Sequence, residues 1–163
     1  MKNKGLWIGI IVAAVLLAVF AMGGGEEPND NQGSGTVDKG DAGNIGEYSL
    51  TIDSCRLAED YDGKPVVIVK YTFKNINDDD PAAFYLTFDD HVYQNGVGLN
   101  EAYFLDDSAN YNADNQTKEI RKGASIEVEV AYVLNDTSTK IEVEVEELLS
   151  FSDKKVTKTF SIA

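Results

Sequence analysis

The run VVIVKYTFKN at positions 66–75 most tightly limits what this chain can fold into. Val67, Val69, Tyr71 and Phe73 fall on one side of an extended chain, and Val66, Ile68, Lys70, Thr72 and Lys74 on the other. β-Branched and aromatic side chains pack well on a pleated surface. The second side is itself apolar at Val66 and Ile68, so this strand is expected to be central, covered on both faces.

Other segments repeat the period of two. Tyr48, Leu50 and Ile52 alternate with Ser49, Thr51 and Asp53, after which the apolar phase moves to Cys55 and Leu57, as a bulge would produce. Phe84, Leu86 and Phe88 form another alternating set. Ile126, Val128, Val130, Tyr132 and Leu134 form a third, and Ile141, Val143 and Val145 a fourth, with Val156, Phe160 and Ile162 closing the chain. Lys158 interrupts that last stripe. In HVYQNGVGL, Asn95-Gly96 suits a type I′ hairpin turn, because both residues tolerate positive φ. The stretch 100–116 is less regular: Tyr103, Phe104 and Leu105 are expected to pin it to the core, and the rest reads as an exposed loop. Lys118–Arg121 reads as a short edge strand. Seven or eight short strands without an amphipathic helix predict an antiparallel β-sandwich, with a barrel as the alternative.

The chain before residue 46 has a different texture. Lys2 and Lys4 precede an uncharged apolar run, and the 17 residues Leu6–Met22 would form a helix of about 26 Å. Glu26, Glu27 and Asp30 follow it. This polarity predicts export of what comes after. Residues 1–25 are expected to be a hydrophobic helix, serving as a signal peptide cut after Ala21 or Gly23 or as an uncleaved membrane anchor. Residues 26–45, rich in Gly, Asp and Asn, are expected to be a disordered acidic linker, and residues 46–163 the sandwich. Location follows as a cell membrane with an extracellular C-terminal domain, or secretion after cleavage.

The whole chain of 163 residues carries 28 acidic and 14 basic side chains, a net charge of −14. Such a field repels phosphate backbones, so nucleic acid is not an expected partner. Cys55 is the single cysteine, which rules out an intramolecular disulfide and reads as a small core residue. His91 is the single histidine, which excludes a centre built from several imidazoles of one chain. The acidic groups Asp60/Asp62, Asp78–Asp80, Asp89/Asp90 and Asp106/Asp107 sit in turn-like sequence, where aspartate caps backbone N–H groups. Two oxygen-rich sets, Asn77 to Asp80 and Asp106, Asp107, Asn110 and Asp114, invite calcium, yet neither follows the twelve-residue calcium-loop pattern. Ser108 and Ser125 lack a nucleophile-elbow sequence, and a hydrolytic centre would have to combine His91 with Asp89 and Asp90. No catalytic, cofactor-binding or metal-ligating residues are assigned, and no cofactor is expected. Glu127, Glu129, Glu142, Glu144 and Glu146 read as solvated strand faces. Tyr61, Tyr85, Tyr93, Tyr103 and Tyr111 are aromatic material for contact or for a core boundary.

YTFKN at 71–75, Ala83-Phe84, YQNGVGL at 93–99, Lys122-Gly123-Ala124, AYVLND at 131–136 and Ile141–Val145 together resemble the Gram-positive extracellular domain of unknown function numbered 5067. The resemblance covers about residues 46–162. It implies an immunoglobulin-like sandwich and carries over no catalytic residue. Members are commonly lipid-anchored, whereas this chain has no cysteine directly at the end of its apolar run. The combined expectation is a non-enzymatic extracytoplasmic interaction or accessory module, with a protein or cell-envelope component as partner, and with membrane contact through the N-terminal segment if uncleaved. A small calcium-binding domain or a secreted hydrolase are the alternatives.

Overall fold

A computed structural model of the protein describes residues 41–103, 105 and 109–163. The expected export segment 1–25, the first part of the expected linker, and Phe104, Asp106, Asp107 and Ser108 lie outside the described residues. The described chain contains eight strands in two antiparallel sheets. The first sheet is β1 (Ala42–Ile45), β2 (Tyr48–Glu59), β3 (Pro65–Asn75) and β6 (Ser125–Val133), in the order β1-β2-β3-β6. The second is β4 (Phe88–Gln94), β5 (Val97–Gly98), β7 (Ile141–Glu147) and β8 (Lys155–Phe160), in the order β5-β4-β7-β8. A short helix, α1 (Phe84–Thr87), leads into β4, and a 3₁₀ turn covers Asp114–Gln116.

The alternation read from the sequence decides which side chains meet between the sheets. Leu50 and Ile52 of β2, Val67, Val69, Tyr71 and Phe73 of β3, and Val128, Val130 and Tyr132 of β6 face Phe88, Val92, Ile141, Val143, Val145 and Val156 in one buried cluster. Each such side chain contributes roughly 1.5–3 kcal/mol by leaving water. Tyr48, Phe73, Phe84 and Phe88 pack as tilted and edge-to-face aromatic neighbours, with centroids 5.5–6.3 Å apart.

β3 is central and buried on both faces, as its apolar second side predicts. Its outer face, Val66 and Ile68, packs with Ala131 against Ala102 and Ala109, with Leu105 and Tyr111 beside them. The described part of the stretch 100–116 therefore lies over a sheet through Ala102, Leu105, Ala109 and Tyr111 instead of standing out as a loop, and Tyr103 is exposed where it was expected to pin the core. Arg56 of β2 fastens this stretch. Its guanidinium donates to the carbonyls of Ala109 (2.6 Å) and Asn110 (3.1 Å) and to Glu129 of β6 (3.2 Å).

The register of β2 on β3 slips between Ile52 and Ser54, so the change of apolar phase is a bulge. Lys158, the residue that breaks the β8 stripe, serves that bulge. Its ammonium donates to the carbonyls of Ile52 (2.8 Å) and Asp53 (2.9 Å) and reaches Asp41 at 3.2 Å. The hairpin turn has Asn95 at φ 51° and Gly96 at φ 74°, the positive-φ pair that a type I′ turn requires.

Several expectations are corrected. The strand expected through Phe84, Leu86 and Phe88 is the helix α1 followed by β4, and Leu86 points to solvent at 67% exposure. The edge strand at Lys118–Arg121 reduces to one bridge between Ala82 and Ile120. The last four residues of the expected linker form β1, which pairs along Tyr48 to Thr51 and buries Ile45. The fold class of a sandwich with an N-terminal hydrophobic helix is corrected to two antiparallel four-stranded sheets with a four-residue helix. Among the described residues, no helix is long and apolar enough to cross a membrane. α1 would span only about 6 Å against a hydrocarbon core of about 30 Å. Membrane contact through such a helix, and location at the cell membrane by that route, are withdrawn on the same finding.

Candidate functional site

β4 carries the sequence FDDHVYQ, and the inward phase set by Phe88 and Val92 also points Asp90 and Gln94 between the sheets. Asp90 is held across that gap by two phenols of the opposite sheet. Tyr71 of β3 donates to its Oδ2 at 3.2 Å, and Tyr132 of β6 donates to the same oxygen. Burial pushes the Asp90 carboxyl up to about 6, against the lowering effect of the two phenol hydrogen bonds, with the charge of Glu101 adding to the rise. Burial also holds Tyr71 and Tyr132 well above the usual phenol range, so both stay protonated donors at neutral pH.

Asp90 also lines a cavity of about 270 Å³ that opens to solvent. Phe84 and Leu86 of α1, Phe88 of β4, Val130 of β6 and Leu148 after β7 supply apolar walls, and Asp89, Glu101 and Gln116 add to the polar lining beside Tyr85. The backbone N–H of Leu148 donates to the Thr87 carbonyl at 2.9 Å, fixing the β7–β8 turn against α1. Glu101 is held in place by its bridge to Tyr132. It also borders an adjoining depression of about 220 Å³ with Asp60, Tyr61 and Tyr103. That depression continues into a groove of about 530 Å³ formed by Tyr61, Asp62, Tyr103 and Leu105. Tyr61 is 81% exposed and Tyr103 75%. Interaction with the Glu101 carboxylate holds the Tyr103 phenol above its ordinary range.

The hydrolytic combination considered from sequence does not converge. Asp89 and His91 lie on the outer face of β4, 3.3 Å apart, while Asp90 points inward. Strand alternation separates them, and the Asp89/Asp90 pair belongs to a strand and not to a turn. Glu146 of β7, the register partner of Asp89, joins Asp89 and His91 in a group whose ligand atoms lie within 4.8 Å. That group is already engaged, since Lys155 reaches Glu146 at 3.2 Å and Glu144 at 3.4 Å.

The oxygen-rich set Asn77 to Asp80 is also divided among structural tasks. Asp78 accepts the Tyr48 hydroxyl at 2.5 Å and the Asp80 N–H at 3.0 Å, which lower its pKa, and Asp79 meets Lys122 at 2.9 Å. The Asp80 carbonyl accepts from the buried Asn75 amide at 3.2 Å. Of the second set, Asp106 and Asp107 lie outside the described residues, Asn110 accepts Arg56 through its backbone, and Asp114 opens the 3₁₀ turn. The glutamates of the strand faces have basic neighbours: Lys70 meets Glu127 at 2.8 Å, Arg56 meets Glu129, and Lys140 meets Glu142 at 2.6 Å. Cys55 is half-buried against the core, where burial raises its thiol.

What emerges is a two-sheet β domain in which a cavity lined by the inward Asp90 opens onto an acidic, aromatic surface. The chain belongs to the family described as Domain of unknown function (DUF5067), whose profile matches residues 25–147, ending with β7. No curated protein is significantly similar to it. Three solved structures share the fold. A candidate lipoprotein from Staphylococcus aureus subsp. aureus NCTC 8325 is 18% identical over 76% of this chain and 90% of its own, with a TM-score of 0.56. A candidate lipoprotein from Bacillus subtilis subsp. subtilis str. 168 is 20% identical over 77% of this chain and 39% of its own, also at 0.56. A protein from Enterococcus faecalis is 18% identical over 78% of this chain and 93% of its own, at 0.57.

Proposed function

We propose that this chain is a non-enzymatic accessory module acting outside the cytoplasm, where it engages a protein or other envelope component through the surface that runs from Leu86 past Glu101 to Tyr61. The observation that carries this reading is that surface itself. Tyr61, Tyr85, Leu86, Tyr103 and Leu148 are exposed there beside the acids Asp60, Asp62 and Glu101. Large rigid side chains of this kind bind at low entropic cost, and a grouping of them on a strongly charged surface marks an interaction site. The fold shared with candidate lipoproteins of two Gram-positive bacteria supports an extracytoplasmic setting, as does the Lys2, Lys4 and apolar-run order of a signal peptide in residues 1–25.

Cross-linking on intact cells producing the native chain or the Tyr61→Ser/Tyr103→Ser double variant tests both halves of this reading. The exported chain is expected to begin at Met22 or Gly24, and the double variant to lose at least tenfold of the native cross-linked species while folding normally. An unchanged set of species, or a chain retained in the cytoplasm, overturns it.

A further inference from the structure

We propose that the cavity floored by Asp90 is a receptor for one lysine side chain, projected from a basic segment of a partner polypeptide that lies along the Tyr103–Tyr61 groove. The proposal rests on the interaction reading above and specifies its chemistry.

The lining of the cavity suits that side chain. Phe84, Leu86 and Leu148 offer apolar surface for an aliphatic stem, and Asp90 and Glu101 offer carboxylates for a compact cation. Three acids, Asp89, Asp90 and Glu101, line the cavity, and no lysine or arginine does. Their charge is not neutralised from within the cavity. On the strand faces, by contrast, Glu127, Glu129, Glu144 and Glu146 are each met by a basic neighbour.

Asp90 is set up to receive a donor. Both phenols bind Oδ2, and among the described residues Oδ1 accepts no side-chain hydrogen bond. The two tyrosines come from the opposite sheet, so the carboxylate is fixed by the sandwich and cannot swing away from an incoming ammonium. Such preorganisation lowers the cost of binding. A carboxylate pair in a partly desolvated cleft attracts a cation far more strongly than the same groups would in open water.

A polypeptide is favoured over a free amine because the cavity does not end at Glu101. Glu101 is shared with the next depression, and Tyr61 and Tyr103 continue the surface with aromatic faces suited to neighbouring residues of an extended segment. The net charge of −14 steers basic segments toward the domain.

The test is a titration of the isotope-labelled full chain at pH 7.5 and low salt, followed by NMR. The probes are acetyl-Gly-Lys-Gly-amide, the same peptide acetylated on the lysine Nε, and its arginine counterpart. The lysine peptide is expected to shift the signals of Leu86, Glu101 and Leu148 saturably. Acetylation of Nε and the isosteric Asp90→Asn change are each expected to weaken binding at least tenfold, Glu101→Gln about threefold to tenfold, and arginine should bind at least threefold more weakly. Glu101 is exposed, so its variant reports on the site even if Asp90→Asn perturbs the fold. The proposal is overturned by no saturable shift at these residues, by equal binding of the acetylated or arginine peptide, or by indifference to both variants. Loss of cross-linked species in the Tyr61/Tyr103 variant alongside a negative titration leaves the interaction reading standing without the lysine pocket. A positive titration with unchanged cross-linking has the opposite meaning.

Discussion

Asp90→Asn is expected to make the domain more stable at neutral pH, by about 1–3 kcal/mol, and to remove a pH dependence that the native chain shows between about pH 4 and 7. The carboxyl titrates near 6 in the fold, against 3.8 when unperturbed. The folded state therefore holds this proton more tightly than the unfolded chain does. Its contribution to stability is fully present below pH 4 and is lost as pH rises through 6. The groups facing it are the phenols of Tyr71 from β3 and Tyr132 from β6, together with Glu101. Both phenols are protonated throughout this range, and Glu101 remains through the substitution, so the difference between native and variant isolates Asp90. Asparagine keeps the shape and an oxygen that accepts the phenols, without a charge to desolvate. Urea unfolding of both chains at intervals from pH 4 to 8 should give curves that coincide near pH 4 and separate to a plateau above pH 7. Parallel curves, or a less stable variant at pH 7, would show that the carboxylate is better compensated than the geometry indicates.

The same residue shows where sequence reasoning stops. Alternation was sufficient for β3, β6, β7 and the first half of β2 before its bulge, because one face of each is buried and the period of two then decides which side chains face the core. It held through β4 as well, since Phe88 and Val92 place Asp90 and Gln94 inside, but two adjacent aspartates read as a hydrated turn. The signal was the phase, outweighed by the residue type. β1 was invisible for another reason: AGNI has no strand propensity, and it is ordered by pairing with the edge of β2, including the Ile52 N–H donated to the Asp41 carbonyl at 2.7 Å. In α1, Phe84 and Thr87 are three residues apart and both buried, and the Thr87 hydroxyl donates to the Ala83 carbonyl at 2.8 Å. A single helical turn carries too little periodicity to compete with an alternating reading of the same four residues. The site itself was legible only as ingredients. Tyr61, Tyr85, Tyr103, Asp60, Asp62 and Asp90 could be named and Glu101 was missed, and their assembly depends on how Ala102, Leu105, Ala109 and Tyr111 cover the outer face of β3, which no local pattern encodes.

Gln94→Ala is expected to cost about 3–4 kcal/mol, a large part of the 5–15 kcal/mol typical of a whole domain. Gln94 is 1% exposed and uses its amide completely. Its Nε2 donates to the carbonyls of Asp136 (2.9 Å) and Thr139 (3.0 Å), and its Oε1 accepts the N–H of Asn135 (2.9 Å) and, more weakly, of Asp136 (3.4 Å). The β6–β7 loop is closed on itself by Asp136, whose carboxylate accepts the N–H groups of Ser138 (2.8 Å) and Thr139 (2.6 Å) and is thereby lowered to about 2. That cap forms the loop, and Gln94 docks it onto β4. Truncation opens a cavity and strips partners from four backbone groups, although exposed parts of the loop recover some of them from water. Gln94→Glu separates the two effects. It keeps the volume and the acceptor, but at pH 7 it aims a carboxylate at two carbonyls, so it should be at least as damaging there and recover partly on acidification. Urea midpoints with unchanged slope measure both variants, and a loss below 1 kcal/mol for Gln94→Ala would show that the loop is held by other means. The contact also gives a physical reason for pairing two sequence motifs that lie some forty residues apart: YQNG supplies the amide and YVLND the backbone it grips, so neither can drift without the other losing its buried partners.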